Sequence, residues 1–189
     1  MTTKIITTYS QRFLGLIFAL LFLTSSGLAI AAASAAKIDR NARAALERLY
    51  RVAPETRAVL ARAQGVLVFP AIYKAGIGVG AEVGKGALLR GGRNVGFYRL
   101  VSGSIGFQLG AQKRVQVIAF MTPGALQRFQ ASKGFKVGVD GSVVVADLGA
   151  SGKVDSASFN KPMIAFILGE RGLMYNVTLE GARIWKFVP

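Results

Sequence analysis

The stretch that decides the fold is Lys74-Ala-Gly-Ile-Gly-Val-Gly-Ala-Glu-Val-Gly-Lys-Gly-Ala-Leu88, in which glycine recurs at even positions. Alternation with a period of two is the spacing of side chains on one face of a β-strand, so the pattern predicts a strand with one nearly bare face. Such a face permits close approach by another sheet, a helix or a ligand, or a sharp bend at a barrel corner. Glu82 is the sole carboxylate on that face. We expect it at the sheet surface, because buried unpaired carboxylates are rare.

Runs of β-branched and aromatic residues predict further strands on both sides of this stretch. We expect Pro70 to stop the first of them, because proline cannot donate a ladder hydrogen bond. The pair Lys113-Arg114 is typical of a turn, and Thr122 with Pro123 predicts the start of a short helix that closes at 133–134. The pattern favours an α+β fold: a mainly antiparallel Gly-rich β-sheet or partial barrel with N-terminal helices and one short mid-chain helix. The predicted strands besides 74–88 are 66–69, 95–100, 104–112, 115–121, 135–139, 142–147, 163–168, 173–179 and 182–187.

Residues 37–53 have the periodicity of an amphipathic helix, with apolar positions on one stripe and cations mostly opposite. Two interpretations are open: the helix packs on the core with a solvated charged face, or it lies on anionic lipid. Pro54 predicts the first position of a second helix, which Gly65 ends. The stripe is Ile38, Ala42, Ala45, Leu46, Leu49, Val52 and Ala53, and the cations are Lys37, Arg40, Arg43, Arg48 and Arg51.

Residues 1–36 have the features of a secretory signal peptide. Lys4 and Arg12 precede an apolar run, and small residues end the segment, so we expect cleavage after Ala35 or Ala36. The alternative is an uncleaved anchor, since about 20 apolar residues can span a bilayer. Cleavage leaves residues 37–189 as one domain with a net charge of +13. We expect export across the inner membrane to a periplasmic or outer-envelope location.

The composition excludes several kinds of chemistry. The 189-residue chain has 24 Lys and Arg against 9 Asp and Glu, a net charge of +15, and neither His nor Cys. Serine–histidine and cysteine–histidine catalysis, Cys/His zinc sites and disulfides are therefore excluded. The carboxylates are scattered, so we expect no metal site, no cofactor and no enzymatic activity. A hydrolase would need carboxylates that converge in space, such as Glu82 beside Asp140 or Asp147.

The glycine-rich stretch does not match the phosphate-binding loops. A Walker A loop needs Ser or Thr after Gly-Lys, whereas Gly86 follows Lys85. The dinucleotide fingerprint fails because Gly80 comes one residue too early after Gly78. Aromatic residues interleave with cations at 97–99 and 185–187, but the cations are scattered and no nucleic-acid motif occurs, so we expect no nucleic-acid partner.

Four blocks of sequence, in order, resemble the SYLF domain, the lipid-binding or actin-regulating domain of yeast actin-patch SH3 adaptors. The similarity extends from about residue 43 to 187, and it is greatest to a secreted bacterial branch that consists of a signal peptide and this domain. The residues that carry the family motif are Phe69, Pro70, Gly76, Gly78, Gly80, Gly106, Gln108 and Gly110. The later blocks are Ser104-Ile-Gly-Phe-Gln-Leu-Gly-Ala-Gln112, Val137-Gly-Val-Asp-Gly-Ser142, and Arg171-Gly-Leu-Met-Tyr175 with Leu179-Glu-Gly181.

The resemblance implies a non-catalytic module that binds acidic phospholipids or phosphoinositides through a basic N-terminal helix. It departs from the family at Lys113-Arg114, where an acidic or polar residue is expected. Actin binding is not carried over, because an exported bacterial protein would not meet actin. The alternative function is an envelope interaction protein that binds another polyanion or a protein partner. The predicted lipid-binding residues are Lys37, Arg40, Arg43, Arg48, Arg51 and Lys74.

Overall fold

The computed structural model describes residues 31–106, 112–146, 161–169, 172–173 and 179–189. The chain divides into two compact units, residues 1–36 with Pro189 and residues 37–188. The second unit has mostly antiparallel strands in a curled half-barrel sheet, together with helices, which confirms the predicted α+β fold. No helix among the described residues has both the length and the hydropathy that a bilayer span requires.

Helix α1 covers residues 31–52, and α2 is Thr56–Ala61. The predicted apolar stripe of α1 is buried except at Val52, which is 48% exposed, and at the half-buried Leu46. The second helix is shorter than predicted, because the N–H of Gln64 already donates to the Phe120 carbonyl at 2.8 Å and so belongs to the sheet. Pro54 lies in the turn before α2, and Gly65 begins a strand instead of ending a helix.

Strands β1 (Gly65–Arg90) and β2 (Arg93–Gly106) form a long antiparallel hairpin. Gly91 and Gly92 make its two-residue turn with φ values of 54° and 75°, a conformation that glycine adopts without steric cost. The predicted strands 95–100 and 104–112 are one continuous strand as far as Gly106, and residues 107–111 lie outside the described part of the chain.

Pro70 does not stop β1, contrary to expectation. The first part of β1 pairs with β3 (Gln112–Phe120), and the register shifts between Phe69 and Ile72. Pro70 therefore sits in a β-bulge, where the missing N–H of proline is tolerated. Because β1 continues past the bulge, Lys113 and Arg114 pair with Tyr73 and Ile72 in the ladder, and the predicted turn at these two residues is wrong.

Helix α3 (Pro123–Ala131) confirms the predicted mid-chain helix. Thr122 is its N-cap, and the hydroxyl oxygen of this residue accepts a hydrogen bond from the Ala125 N–H at 3.3 Å. The helix ends slightly earlier than predicted, with Ser132 as its C-cap.

The remaining strands complete one sheet in the order β4-β8-β2-β1-β3-β6-β5, with β7 beside β6. Among the described pairings of named strands, β5 with β6 is parallel and the others are antiparallel. The strand predicted at 135–139 is cut short, because Asp140 turns the chain by accepting a hydrogen bond from the Lys136 N–H at 2.6 Å. The bounds are β4 Phe135–Lys136, β5 Val144–Val145, β6 Met163–Gly169, β7 Gly172–Leu173 and β8 Arg183–Phe187.

The two faces of the sheet bury separate hydrophobic clusters. The inner face packs against α3, where the Phe129 ring lies 4.8 Å from Tyr98 and 4.7 Å from Phe120 between centroids. The outer face packs against α1 and α2, whose buried residues join side chains of β1, β3 and β6 in one cluster. The apolar stripe of α1 is therefore used for packing within the domain.

Glycines allow β1 to fold back on itself. A Cβ at Gly86 would lie 2.7 Å from Cδ1 of Phe69 and would collide with the Val68 carbonyl, and one at Gly84 would lie 2.9 Å from Ile72. The bare face that the period of two predicts is thus closed by the earlier part of the same strand. This is the sharp bend at a barrel corner that the sequence left open among other possibilities.

Candidate functional site: a buried ion pair inside and a basic surface outside

An ion pair between Glu82 of β1 and Arg114 of β3 is buried on the inner face. The two terminal nitrogens of Arg114 donate to the two carboxylate oxygens of Glu82 at 2.7 and 3.0 Å, which is a bidentate geometry. Glu82 is only 6% exposed, so the expectation that it lies at the sheet surface is wrong. The reason is the bend in β1, because Glu82 shares the closed face of Gly84 and Gly86.

Gln116 extends this polar region along β3. It is two residues from Arg114, so the two side chains lie on the same face of the strand. Gln116 is fully buried, and within the described part of the chain both polar atoms of its amide, like Nε of Arg114, have no hydrogen-bond partner. An unpaired buried polar group costs about 1–3 kcal/mol, so polar side chains are uncommon at such positions.

Within the described part of the chain, no second carboxylate pairs with Glu82 in the way that a hydrolase would need. The partner of Glu82 is a guanidinium, and the Asp140 carboxylate is engaged by the Lys136 N–H. Asp147 lies outside the described residues. Among the described residues, no three metal-ligating side chains come together. Among the described residues, Glu82 and Arg114 therefore form a structural contact between β1 and β3.

The cations predicted to bind lipid lie mostly on the outer side of α1, away from its buried stripe. Lys37, Arg40 and Arg51 are exposed and make no ion pair within the described part of the chain. Arg43 is exposed but pairs with Asp39 at 2.9 Å, an exposed i, i+4 contact that contributes little stability. Three of the five helix cations are thus available for an external anion.

Arg48 and Lys74 differ from the other predicted lipid-binding residues. The Arg48 guanidinium donates to the Gly169 carbonyl at 2.8 Å, so it ties α1 to the end of β6. Lys74 is half-buried in β1 opposite Gln112, so it belongs to the sheet and not to the helix. The structure therefore groups Lys37, Arg40 and Arg51 on the helix, and it leaves Lys74 on another element.

The C-terminal half of α1 is fixed to the start of α2. Arg57 lies 3.5 Å from the Glu47 carboxylate, and its guanidinium carbon is 4.2 Å from the centroid of the Tyr50 ring. Burial raises the pKa of the Tyr50 hydroxyl, Arg57 partly opposes this rise, and Glu47 adds to it. These contacts hold the helix in place while its outer cations stay in solvent.

The described residues of the family motif belong to strands β1 and β2. Phe69 is buried in the inner cluster, and Pro70 forms the bulge. The described glycines of the motif lie in β1 and at the end of β2, where Gly78 pairs with Gly106. Gln108 and Gly110 lie outside the described residues, and Gly76 and Gly80 lie in β1.

Sequence reasoning missed Arg114 and Gln116, because the pair Lys113-Arg114 was interpreted as a turn. The alternation that continues through Ile118 and Phe120 could have placed both residues on the inner face. A strand assigned from residue 112 onward would have shown a cation and an amide in phase with two core residues.

Among the described residues, the half-barrel is covered by a helix with outward-facing cations, and no catalytic set is formed. The family model of Ysc84, described as Las17-binding protein actin regulator, matches residues 101–186. This match confirms the resemblance to the SYLF family over residues 101–186. A comparison with curated proteins found no match.

Proposed function

We propose that this domain is a non-catalytic lipid-binding module that associates with anionic phospholipid or phosphoinositide surfaces. The observation that carries the proposal is the exposure of Lys37, Arg40 and Arg51 on the outer side of α1 without an internal ion pair among the described residues. A cation close to an anionic membrane contributes about 1 kcal/mol of attraction, so three of them give useful affinity.

The contact is electrostatic and does not involve insertion of the helix. Peripheral helices usually bury an apolar face between lipid chains. In this domain Ala42, Leu49 and most of the other stripe residues are buried against the sheet, so that face is occupied. Binding should therefore weaken strongly with salt, because exposed charges are screened within a Debye length of about 8 Å at physiological ionic strength.

The site of action in this proposal is the bacterial envelope, reached through the leader at residues 1–36. The second candidate function is an interaction protein that binds another polyanion or a protein. The description of the matched family names a protein partner, Las17, and this observation supports the second candidate function. Binding to a purified soluble polyanion without any binding to vesicles would support it.

The test measures flotation of the protein, as cells produce it, with vesicles of phosphatidylcholine alone and with equal parts of phosphatidylserine. We expect binding only to the anionic vesicles. The triple variant Lys37→Gln, Arg40→Gln and Arg51→Gln should bind roughly 100-fold more weakly.

The matched control is Arg90→Gln, Arg93→Gln and Lys133→Gln, which removes the same charge from exposed positions at the β1–β2 turn and after α3. It should retain most of the binding. Absence of flotation of the wild-type protein with anionic vesicles would contradict the proposed function.

A further inference from the structure

A second basic surface lies on the outer face of the sheet, next to the part of that face that packs against helix α1. The register aligns Ala87, Phe97 and Phe187 in one cross-strand row, and members of this row pack in the outer cluster with α1. The side chains of the next two rows along the strands are more exposed to solvent. The first consists of Lys85, Arg99 and Trp185, and the second consists of Val83, Val101 and Arg183.

Two cations face each other directly in the first of these rows. Lys85 and Arg99 are antiparallel partners in β1 and β2, and both are exposed. Like charges opposite each other destabilise a sheet. Both cations make cation–π contacts with the Phe187 ring: Arg99 lies 5.2 Å and Lys85 lies 5.7 Å from the ring centroid. The two cations are thus gathered over one ring, although they repel each other.

Arg183 adds a third exposed cation on the same face, diagonal to Arg99. Neither row contains an acidic residue. In the neighbouring strand β4, Lys136 pairs with Arg183, and the nearby Asp140 carboxylate accepts the backbone N–H of Lys136. The surface therefore gathers positive charge without an internal counter-ion in the rows that form it.

Apolar and aromatic groups lie among these cations. Val83 is 48% exposed, and Trp185 is half-buried beside Arg99. Tryptophan favours the boundary between water and lipid, because one part of its ring system is apolar and its N–H is polar. A soluble polyanion needs only the cations, whereas a bilayer surface also matches the exposed valine and the tryptophan.

We propose that this surface, Lys85, Arg99, Arg183 and Trp185, docks on an anionic bilayer, with the cations at lipid phosphates and Trp185 at the headgroup level. The inference rests on the proposed function, but it assigns membrane contact to the sheet in addition to helix α1. The two contacts can be separated by experiment, because Trp185 is the single tryptophan of the chain.

The first measurement is the fluorescence of Trp185 during titration with vesicles of equal parts phosphatidylcholine and phosphatidylserine. We expect a blue shift of the emission and quenching by lipids brominated near the headgroup. Neither change should occur with phosphatidylcholine alone. The wild-type protein is sufficient for this test, so it does not depend on the folding of a variant.

The second measurement compares vesicle affinity of the variant Lys85→Gln, Arg99→Gln, Arg183→Gln with that of the control Arg90→Gln, Arg93→Gln, Lys133→Gln. We expect a loss of roughly 100-fold for the first variant, and less than about tenfold for the control, which has the same net charge. Circular dichroism spectra verify that both variants are folded.

The outcomes distinguish the two proposals. Flotation without a change in Trp185 emission or quenching would leave the proposed function standing and overturn docking through the sheet. Equal losses in both triple variants would also overturn it, because the attraction would then come from the overall charge. The same blue shift with dextran sulfate in the absence of vesicles would overturn the bilayer as the partner. Absence of flotation would contradict the proposed function itself.

Discussion

Charged side chains on the two faces of strand β1 have opposite surroundings. On the inner face Glu82 has a bidentate partner, Arg114, and both side chains are largely buried. On the outer face Lys85 stands opposite another cation, Arg99, in solvent. The comparison teaches that nearby positions of one strand can hold a buried ion pair or a solvent-exposed cation, because successive side chains point to opposite faces.

Disruption of the Glu82–Arg114 ion pair should have the largest effect on stability. The variant Glu82→Leu leaves the Arg114 guanidinium without its partner, and breaking a buried pair in this way costs about 3–5 kcal/mol. Urea denaturation should show this loss in the free energy of unfolding.

The control for this prediction is the double variant Glu82→Leu, Arg114→Met. Replacement of both partners by apolar side chains should recover most of the lost stability, because no uncompensated charge remains. A double variant as unstable as the single one would indicate that the ion pair is not the source of the effect.

The bend of β1 should show the next largest effect. In Gly86→Ala the new methyl group meets the Val68 carbonyl and the Phe69 ring, so we expect a loss of about 2 kcal/mol from overpacking. The matched control is Gly103→Ala in β2, where a Cβ would have nothing within 4 Å. Thermal unfolding of both variants tests the comparison, and an equal change in the two would disprove the role of close packing.

Substitution in the Lys85–Arg99 pair should have the smallest effect on stability. Lys85→Thr relieves repulsion with Arg99 but removes the contact with the Phe187 ring, so the free energy of unfolding should change by less than about 0.5 kcal/mol. Added salt should stabilise the wild-type protein more than the variant, since it screens the repulsion. Urea titrations at low and high salt measure both quantities. A large loss of stability in Lys85→Thr would show that Lys85 is part of the core structure.

The sequence predicted well the elements whose pattern depends on local spacing. The helix at residues 37–53, the strand that contains the glycines and the helix after Thr122 all have a clear period or cap. The predictions failed where a distant segment supplies a partner. Pro70 remains within a strand because β3 accommodates a bulge, and Gln64 leaves the helix because Phe120 accepts its hydrogen bond.

The candidate surfaces were predicted in part for the same reason. Helical spacing placed Lys37, Arg40 and Arg51 together, since residues on one side of a helix are set by the chain itself. The cluster of Lys85, Arg99 and Arg183 joins three strands, and it depends on their register. Spacing within any one strand does not indicate which residues of the next strand will stand beside it.

The sequence by itself determined the α+β class, the basic helix and the glycine face, because period and composition act through the local backbone. Only the tertiary structure decided what meets each face. In the folded domain, the glycine face of β1 packs against the earlier part of the same strand, and Glu82 pairs with Arg114. The apolar stripe of α1 packs against the sheet. These outcomes depend on the curl and register of the sheet, which arise from contacts between residues far apart in the chain.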